Sequence, residues 1–122
     1  MAATYQDLKV WQPAMDMVAH VYRCTATFPK QEMYGLTSQM RRSAVSVPSN
    51  IAEGKRRFSR KELVQHLFRA RGSLLELETQ ILIGRRLGYL DDTEGKRLTS
   101  LTSEVGRLLN GLVNSFQSQL KP

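Results

Sequence analysis

The sequence predicts an all-α fold, an antiparallel up-and-down four-helix bundle forming one domain over residues 1–122. Three observations carry that prediction. Apolar residues recur at steps of three and four in four separate stretches, the signature of amphipathic helices. No stretch shows the strict alternation that a half-buried strand needs. Only four Pro and eight Gly occur in 122 residues, most of them near expected helix ends, so long uninterrupted elements can form. A chain of this length fits one core, since single cores typically occupy ~100–150 residues. The apolar fraction of 41% lies well above that of a disordered chain.

The first helix is expected from about Asp7 to Thr27. Trp11, Met15, Val18, Tyr22 and Thr25 step by four and three, with Ala14 and Val21 widening the stripe. Asp7 is the expected N-cap, and Phe28-Pro29 ends the element because a residue before proline avoids the α region. Pro13 falls just after the first turn, or within it if the helix begins later, where proline is tolerated.

A second helix is expected over about Glu32 to Gly54, with Leu36, Met40, Ala44, Val47 and Ile51 as its apolar stripe. Pro48 removes one N–H and crowds the Ala44 carbonyl, which predicts a kinked helix in preference to two short ones. Gly54 reads as its C-terminal stop.

The third helix is the clearest. Ser59-Arg60-Lys61-Glu62 matches a capping box. Leu63, Leu67, Ala70, Leu74, Leu77, Ile81 and Gly84 follow at alternating steps of four and three, the seam of shallow left-handed helix crossings. Val64, Phe68, Leu75 and Leu82 add a second apolar column, wide enough to face another neighbour. Gly88 closes the helix, and Tyr89-Leu90 turns the chain.

The fourth helix is expected from Asp91 or Asp92 to about Leu120, with Leu98, Leu101, Val105, Leu108, Leu112 and Phe116 as core. Gly106 and Gly111 each cost about 1 kcal/mol relative to Ala inside a helix, which points either to close approach of another helix or to simple tolerance. Short connections make sequential helices antiparallel neighbours.

The net charge of +7 is concentrated. From Arg41 to Arg71 there are nine Arg and Lys against Glu53 and Glu62, nine minus two, so this window equals the whole net charge. Such a field attracts polyanions; a solvated face that keeps a bundle soluble is the alternative. Within the window, Gly54 to Lys61 reads GKRRFSRK. Lys55, Arg56, Arg57, Arg60 and Lys61 are the candidate nucleic-acid-binding residues, because arginine and lysine neutralise phosphates. Phe58 could stack on an unpaired base, but a hydrophobic staple with Leu63 is preferred for it. Arg41 and Arg42 could serve structure instead.

Other chemistry is sparse. The single cysteine, Cys24, excludes an internal disulfide framework and a cysteine zinc site, and reads as a small semi-buried hydrophobe. Asp16 and His20, and Glu62 and His66, lie four apart and read as surface ion pairs. Neither pair has the Glu-x-x-His spacing of di-metal bundles. Glu78 lies on the apolar side of the third helix and is expected to pair with Arg41, Arg42 or Arg71, since an unpaired carboxylate there would be costly. No phosphate loop, dinucleotide fingerprint or nucleophile elbow occurs. No catalytic residue, metal or cofactor is therefore expected. The polar N-terminus lacks a signal-peptide pattern and no apolar run approaches the ~20 residues of a membrane span, so a cytoplasmic location without membrane contact is the expectation.

Three stretches carry a resemblance: DLKVWQ at 7–12, YGLTSQMRRSAVSVPSNIAEG at 34–54 and ARGSLLELETQILIGRRLGYL at 70–90. Together they resemble the bacterial four-helix bundle proteins encoded within intervening sequences of 23S rRNA genes, over nearly the entire chain. Lys55-Arg56 departs from the pattern, where many relatives carry less charge. The family is similar to the accessory variability proteins of diversity-generating retroelements, which form pentameric barrels with a positive surface and work with a reverse transcriptase and nucleic acid. The resemblance thus implies an up-and-down bundle, a homopentamer, and a reverse-transcriptase-like protein as a candidate partner. The leading functional expectation is a non-enzymatic oligomer that binds RNA or DNA through Arg56, Arg57, Arg60 and Lys61 with Lys55 beside them. The alternative is a structural adaptor ring that docks a protein partner through the two-column face of the third helix. A metal-dependent bundle enzyme is disfavoured by ligand spacing.

Overall fold

Backbone hydrogen bonding settles into four long helices in a computed structural model that describes residues 4–57 and 59–118: α1 (Trp11–Thr25), α2 (Leu36–Lys55), α3 (Arg60–Arg86) and α4 (Asp92–Ser118). Short 3-10 turns, Tyr5–Asp7 and Lys30–Glu32, precede α1 and α2, and no strand occurs among the described residues. Each helix packs on its sequence neighbours, and α1 closes the bundle against α4. The expected all-α four-helix bundle is the fold found.

Asp7 does not cap α1. Its carboxylate closes the preceding 3-10 turn by accepting the Thr4 N–H at 3.0 Å, and α1 begins only at Trp11. Pro13 thereby falls in the first turn, where its missing N–H would have had no intrahelical acceptor. The buried face of α1 is Ala14, Met17, Val21 and Cys24 with His20 and Thr25. This is rotated from the expected stripe: Met15 and Tyr22 are exposed, and Trp11 and Val18 only half-buried. Trp11, Met15 and Val18 instead line an outer groove of about 300 Å³ shared with Val45, Pro48 and Ala52 of α2.

Glu32 stands before α2 rather than in it. One carboxylate oxygen accepts the Leu36 N–H at 3.2 Å and the other accepts the Tyr89 hydroxyl at 2.9 Å, tying the α2 start to the α3–α4 turn. The expected stripe, Leu36, Met40, Ala44, Val47 and Ile51, is buried throughout. A single helix passes through Pro48, as preferred over two short ones. α2 ends at Lys55, one residue past the expected Gly54, and Gly54 keeps a helical backbone in place of the left-handed turn of a C-terminal glycine. Its role is contact: a Cβ there would lie 2.8 Å from the His66 Cβ and 3.3 Å from the Leu63 carbonyl.

Ser59 caps α3 by accepting the Glu62 N–H at 3.1 Å; Phe58 and its proposed staple lie outside the described residues. Every member of the Leu63-to-Gly84 seam is buried. In the second column Val64 is buried, but Phe68, Leu75 and Leu82 stand 36%, 59% and 60% exposed at seven-residue intervals. Gly88 ends the helix with φ +78°, the left-handed conformation that favours glycine. The Gly84 carbonyl then accepts the Tyr89 and Leu90 N–H groups.

Asp91 caps α4 by accepting the Glu94 N–H at 2.8 Å. The buried face is Gly95, Leu98, Thr102, Val105, Leu109 and Val113. Leu98 and Val105 were expected there; Leu101, Leu108, Leu112 and Phe116 are half-buried beside them. Gly106 meets Leu74 only at ordinary contact distance and Gly111 meets nothing within 4 Å, so Gly111 marks no close helix approach. No helix of the described residues is long and apolar enough to cross a membrane.

Candidate functional site

Antiparallel packing brings the last turn of α2, the first turn of α3 and the last turns of α4 to one end of the bundle. All five candidate cations belong to the α2–α3 connection at this end. Lys55 is half-buried, while Arg56, Arg57, Arg60 and Lys61 are exposed. The Arg60 guanidinium lies 4.8 Å from the centroid of the Phe116 ring, and the Lys55 ammonium 5.9 Å from it. An aromatic face attracts cations within about 6 Å, so Phe116 gathers two basic side chains from two helices on one ring. The sequence placed Phe116 in the core and gave no sign of this role, because the contact spans more than fifty residues.

Arg57 is committed differently. It pairs with Glu53 one turn back on α2, and its Nε donates to His66 Nε2 at 3.2 Å. A ring that accepts at Nε2 carries its proton on Nδ1, which faces Asn50 Oδ1 at 3.3 Å. Asn50 donates in turn to the Ser46 carbonyl and hydroxyl, and Ser46 meets Ser73 at 2.8 Å. A polar ladder therefore climbs the α2–α3 interface from the cationic end. Burial first, then the Arg57 and Arg69 charges, hold His66 below the usual imidazole value. The expected surface pair of Glu62 and His66 is replaced by this buried arrangement.

The remaining cations of the +7 window divide. Arg41 sits 14 residues before Lys55 on α2, about 21 Å up the axis. Its Nε donates to Thr25 Oγ1 at 2.9 Å and its guanidinium stacks over the Tyr22 ring at 4.6 Å, so it ties α2 to α1. Arg42 lines a polar groove with Ser43, Ser46, Ser73 and Glu76. Arg71 bonds Asn110 and stacks over Phe68. None of these forms an ion pair with Glu78, which is half-buried beside Ile81, Leu82 and Thr102. The arginine partner expected for Glu78 is absent among the described residues; partial exposure leaves its carboxylate solvated.

At the opposite end a second constellation forms. His20 does not pair with Asp16 on the surface. It is buried, with Nε2 at 3.1 Å from Glu94 Oε2 and Nδ1 at 3.3 Å from Arg23 Nη2. Cys24 is not a hydrophobe without a partner: its thiol donates to the same Glu94 oxygen at 2.9 Å. Burial, reinforced by the Glu94 bond and charge, pushes the thiol up to about 12. The thiol bond, with the His20 bond behind it, holds the Glu94 carboxyl below its ordinary value. The four-residue step from His20 to Cys24 was visible in the sequence. Glu94, seventy residues further on, could be assigned only once α4 was seen to fold back on α1.

Fold and surface together define an all-α four-helix bundle with a cation-rich end. The profile of the 23S rRNA-intervening sequence proteins matches residues 6–111. The chain belongs to that family. Among solved structures it is similar to a protein of unknown function from the S23 ribosomal protein family of Bacteroides thetaiotaomicron VPI-5482, with a TM-score of 0.79 at 19% identity over 86% of this chain and 95% of that one. At that identity the likeness speaks for the fold. No curated protein matches the chain.

Proposed function

We propose that the protein is a non-enzymatic, oligomeric module that binds RNA or DNA through the cation-rich end of its bundle. The observation that carries this reading is the gathering of Lys55 and Arg60 over Phe116, with exposed Arg56 and Lys61 in the same connection. Only Arg57 of the five is in an ion pair among the described residues, and its Glu53 partner is itself exposed. Phosphate contacts of this kind supply affinity and position without base readout. By the resemblance to the accessory variability proteins, the assembly proposed is a homopentamer, and a reverse-transcriptase-like protein is the partner class it suggests. Five copies would multiply the phosphate contacts.

Anisotropy of labelled RNA and DNA across a salt series tests the reading. Arg56, Arg57, Arg60 and Lys61 on four phosphates predict a log–log salt slope of about −3.6 for duplex DNA and about −2.8 for single strands per engaged protomer. Replacing all four with Ala should abolish binding at low salt. Absence of binding by the unaltered protein, or binding that survives the quadruple change, defeats the proposal. Light scattering should report five times 13.9 kDa; a monomer refutes the pentamer.

A second reading, an adaptor that docks a protein partner, is favoured by the exposed Phe68, Leu75 and Leu82 column on α3. It predicts a partner that stays bound after nuclease digestion and is released when these three residues become Ser.

A further inference from the structure

The His20–Cys24–Glu94 constellation has no part in the nucleic-acid reading, and it lies at the far end of the bundle. Phe116 and Glu94 are 22 residues apart on α4, about 33 Å at 1.5 Å per residue. His20 and Cys24, four apart on α1, share one helix face. Glu94 is held in the first turn of α4 by the Asp91 cap. The three prospective donor atoms, imidazole Nε2, thiol Sγ and carboxylate Oε2, lie within 4.8 Å of one another, and this is the one such group among the described residues.

We propose that His20, Cys24 and Glu94 form a binding site for one divalent transition-metal ion of the zinc class. Three arguments support the assignment. First, the donor set is chemically selective: imidazole and thiolate favour zinc-like ions over magnesium or calcium, which take oxygen ligands. Second, the spacing fits. Zinc bonds of ~2.0 Å to N and O and ~2.3 Å to S imply ligand–ligand edges of about 3.3–3.6 Å in a tetrahedron. The His20–Glu94 contact of 3.1 Å needs to open by about 0.2 Å and the Cys24–Glu94 contact of 2.9 Å by about 0.6 Å, while the third edge, His20 Nε2 to Cys24 Sγ, lies within 4.8 Å. Glu94 can supply that movement, since its side chain is 35% exposed at the edge of a cavity of about 340 Å³. Third, a thiol is a weak donor and adds little to a His–Glu pair, whereas as thiolate it is a strong ligand. Cys24 and His20 are each only 8% exposed, so both donors are already withdrawn from water.

Loading balances as follows. The metal displaces the Cys24 proton, which leaves to solvent, and a metal–sulfur bond replaces the S–H bond. The His20 ring proton passes from Nε2 to Nδ1, and exposed Arg23 gives up its contact with Nδ1. Thiolate and carboxylate then neutralise the dication. The fourth position opens toward the cavity, where Thr27, Tyr89 and Arg97 stand at the wall.

The test uses the full chain without an affinity tag. Zinc competition against a chromogenic chelator should show one ion per chain, and cobalt should give a thiolate-to-metal charge-transfer band in the near ultraviolet. Cys24→Ala should remove that band, and His20→Gln and Glu94→Gln should each weaken binding at least about tenfold, a ligand loss costing no less than an outer-shell one. Circular dichroism verifies that each variant is folded. The unaltered protein alone can overturn the assignment. Failure to bind zinc stoichiometrically, or a cobalt complex without the thiolate band, does so whatever the variants do. Binding unchanged in all three folded variants overturns it equally.

Discussion

Gly54→Ala is the sharpest probe of how α2 and α3 meet. A Cβ at this position would stand 2.8 Å from the His66 Cβ, 3.2 Å from Leu63 Cδ1 and 3.3 Å from the Leu63 carbonyl oxygen. Ordinary contact begins near 3.4 Å, so the His66 contact alone is short by 0.6 Å. Leu63 Cδ1 can rotate away, but the His66 Cβ and the Leu63 carbonyl oxygen move only if α3 moves. Overpacking of this kind costs about 1–3 kcal/mol, and replacing a helical Gly returns about 0.5–1 kcal/mol. The net expectation is a loss of about 0–2.5 kcal/mol, centred on about 1 kcal/mol, or about 3–6 °C in Tm for a chain of this size. Urea and thermal unfolding followed by helical circular dichroism measure it. Gly111→Ala is the control, since nothing lies within 4 Å of its added methyl; there the helix-propensity gain should stand alone and raise stability by about 0.5–1 kcal/mol. A Gly54→Ala protein stabilised like the control would show that the helices do not touch at this glycine.

Gly88→Ala should cost about 1–2 kcal/mol although its Cβ meets nothing, because φ +78° is unfavourable for a residue with a Cβ; an unchanged urea midpoint would contradict this. Leu77→Ala removes a fully buried side chain from the α3 seam and should cost about 2–5 kcal/mol, read from the same titrations. His66 has a folded pKa below its unfolded value near 6.5, so the unfolded chain binds the proton more readily. Its contribution to stability is full above that value and is lost as pH falls through the window between the unfolded and the lower folded pKa. His66→Gln should flatten the stability–pH curve there, and a curve of unchanged slope would remove His66 as its cause.

The helices differed in how openly they declared their inner faces. In α2 and α3 the core positions, mostly Leu, Met, Ala, Val and Ile, recur at clean steps of four and three, so one alignment satisfies them even beside the second apolar column of α3. In α1 apolar residues occupy a wide arc, and size misled. Trp11, Met15 and Tyr22 look more hydrophobic than Ala14 and Cys24, yet the small residues face the neighbouring helices. In α4 the buried Thr102 displaces Leu101 from the centre of the stripe by bonding its hydroxyl to the Thr99 carbonyl at 3.0 Å. The run of candidate cations was legible because it is local. The Phe116 contact, the His66 ladder and the His20–Cys24–Glu94 group were not, since each joins helices through contacts that periodicity does not encode. Gly54 misled for a related reason: glycine stops helices and also permits them to touch, and sequence cannot separate the two uses.

The bundle is a rod with unlike tips, one bearing Lys55, Arg60 and Phe116 and the other His20, Cys24 and Glu94. Any closed ring assembled with these rods side by side and pointing the same way inherits that polarity. One lip would carry the cations of the α2–α3 connection and the other the His20, Cys24 and Glu94 side chains, so the two faces of such a ring would offer unlike chemistry.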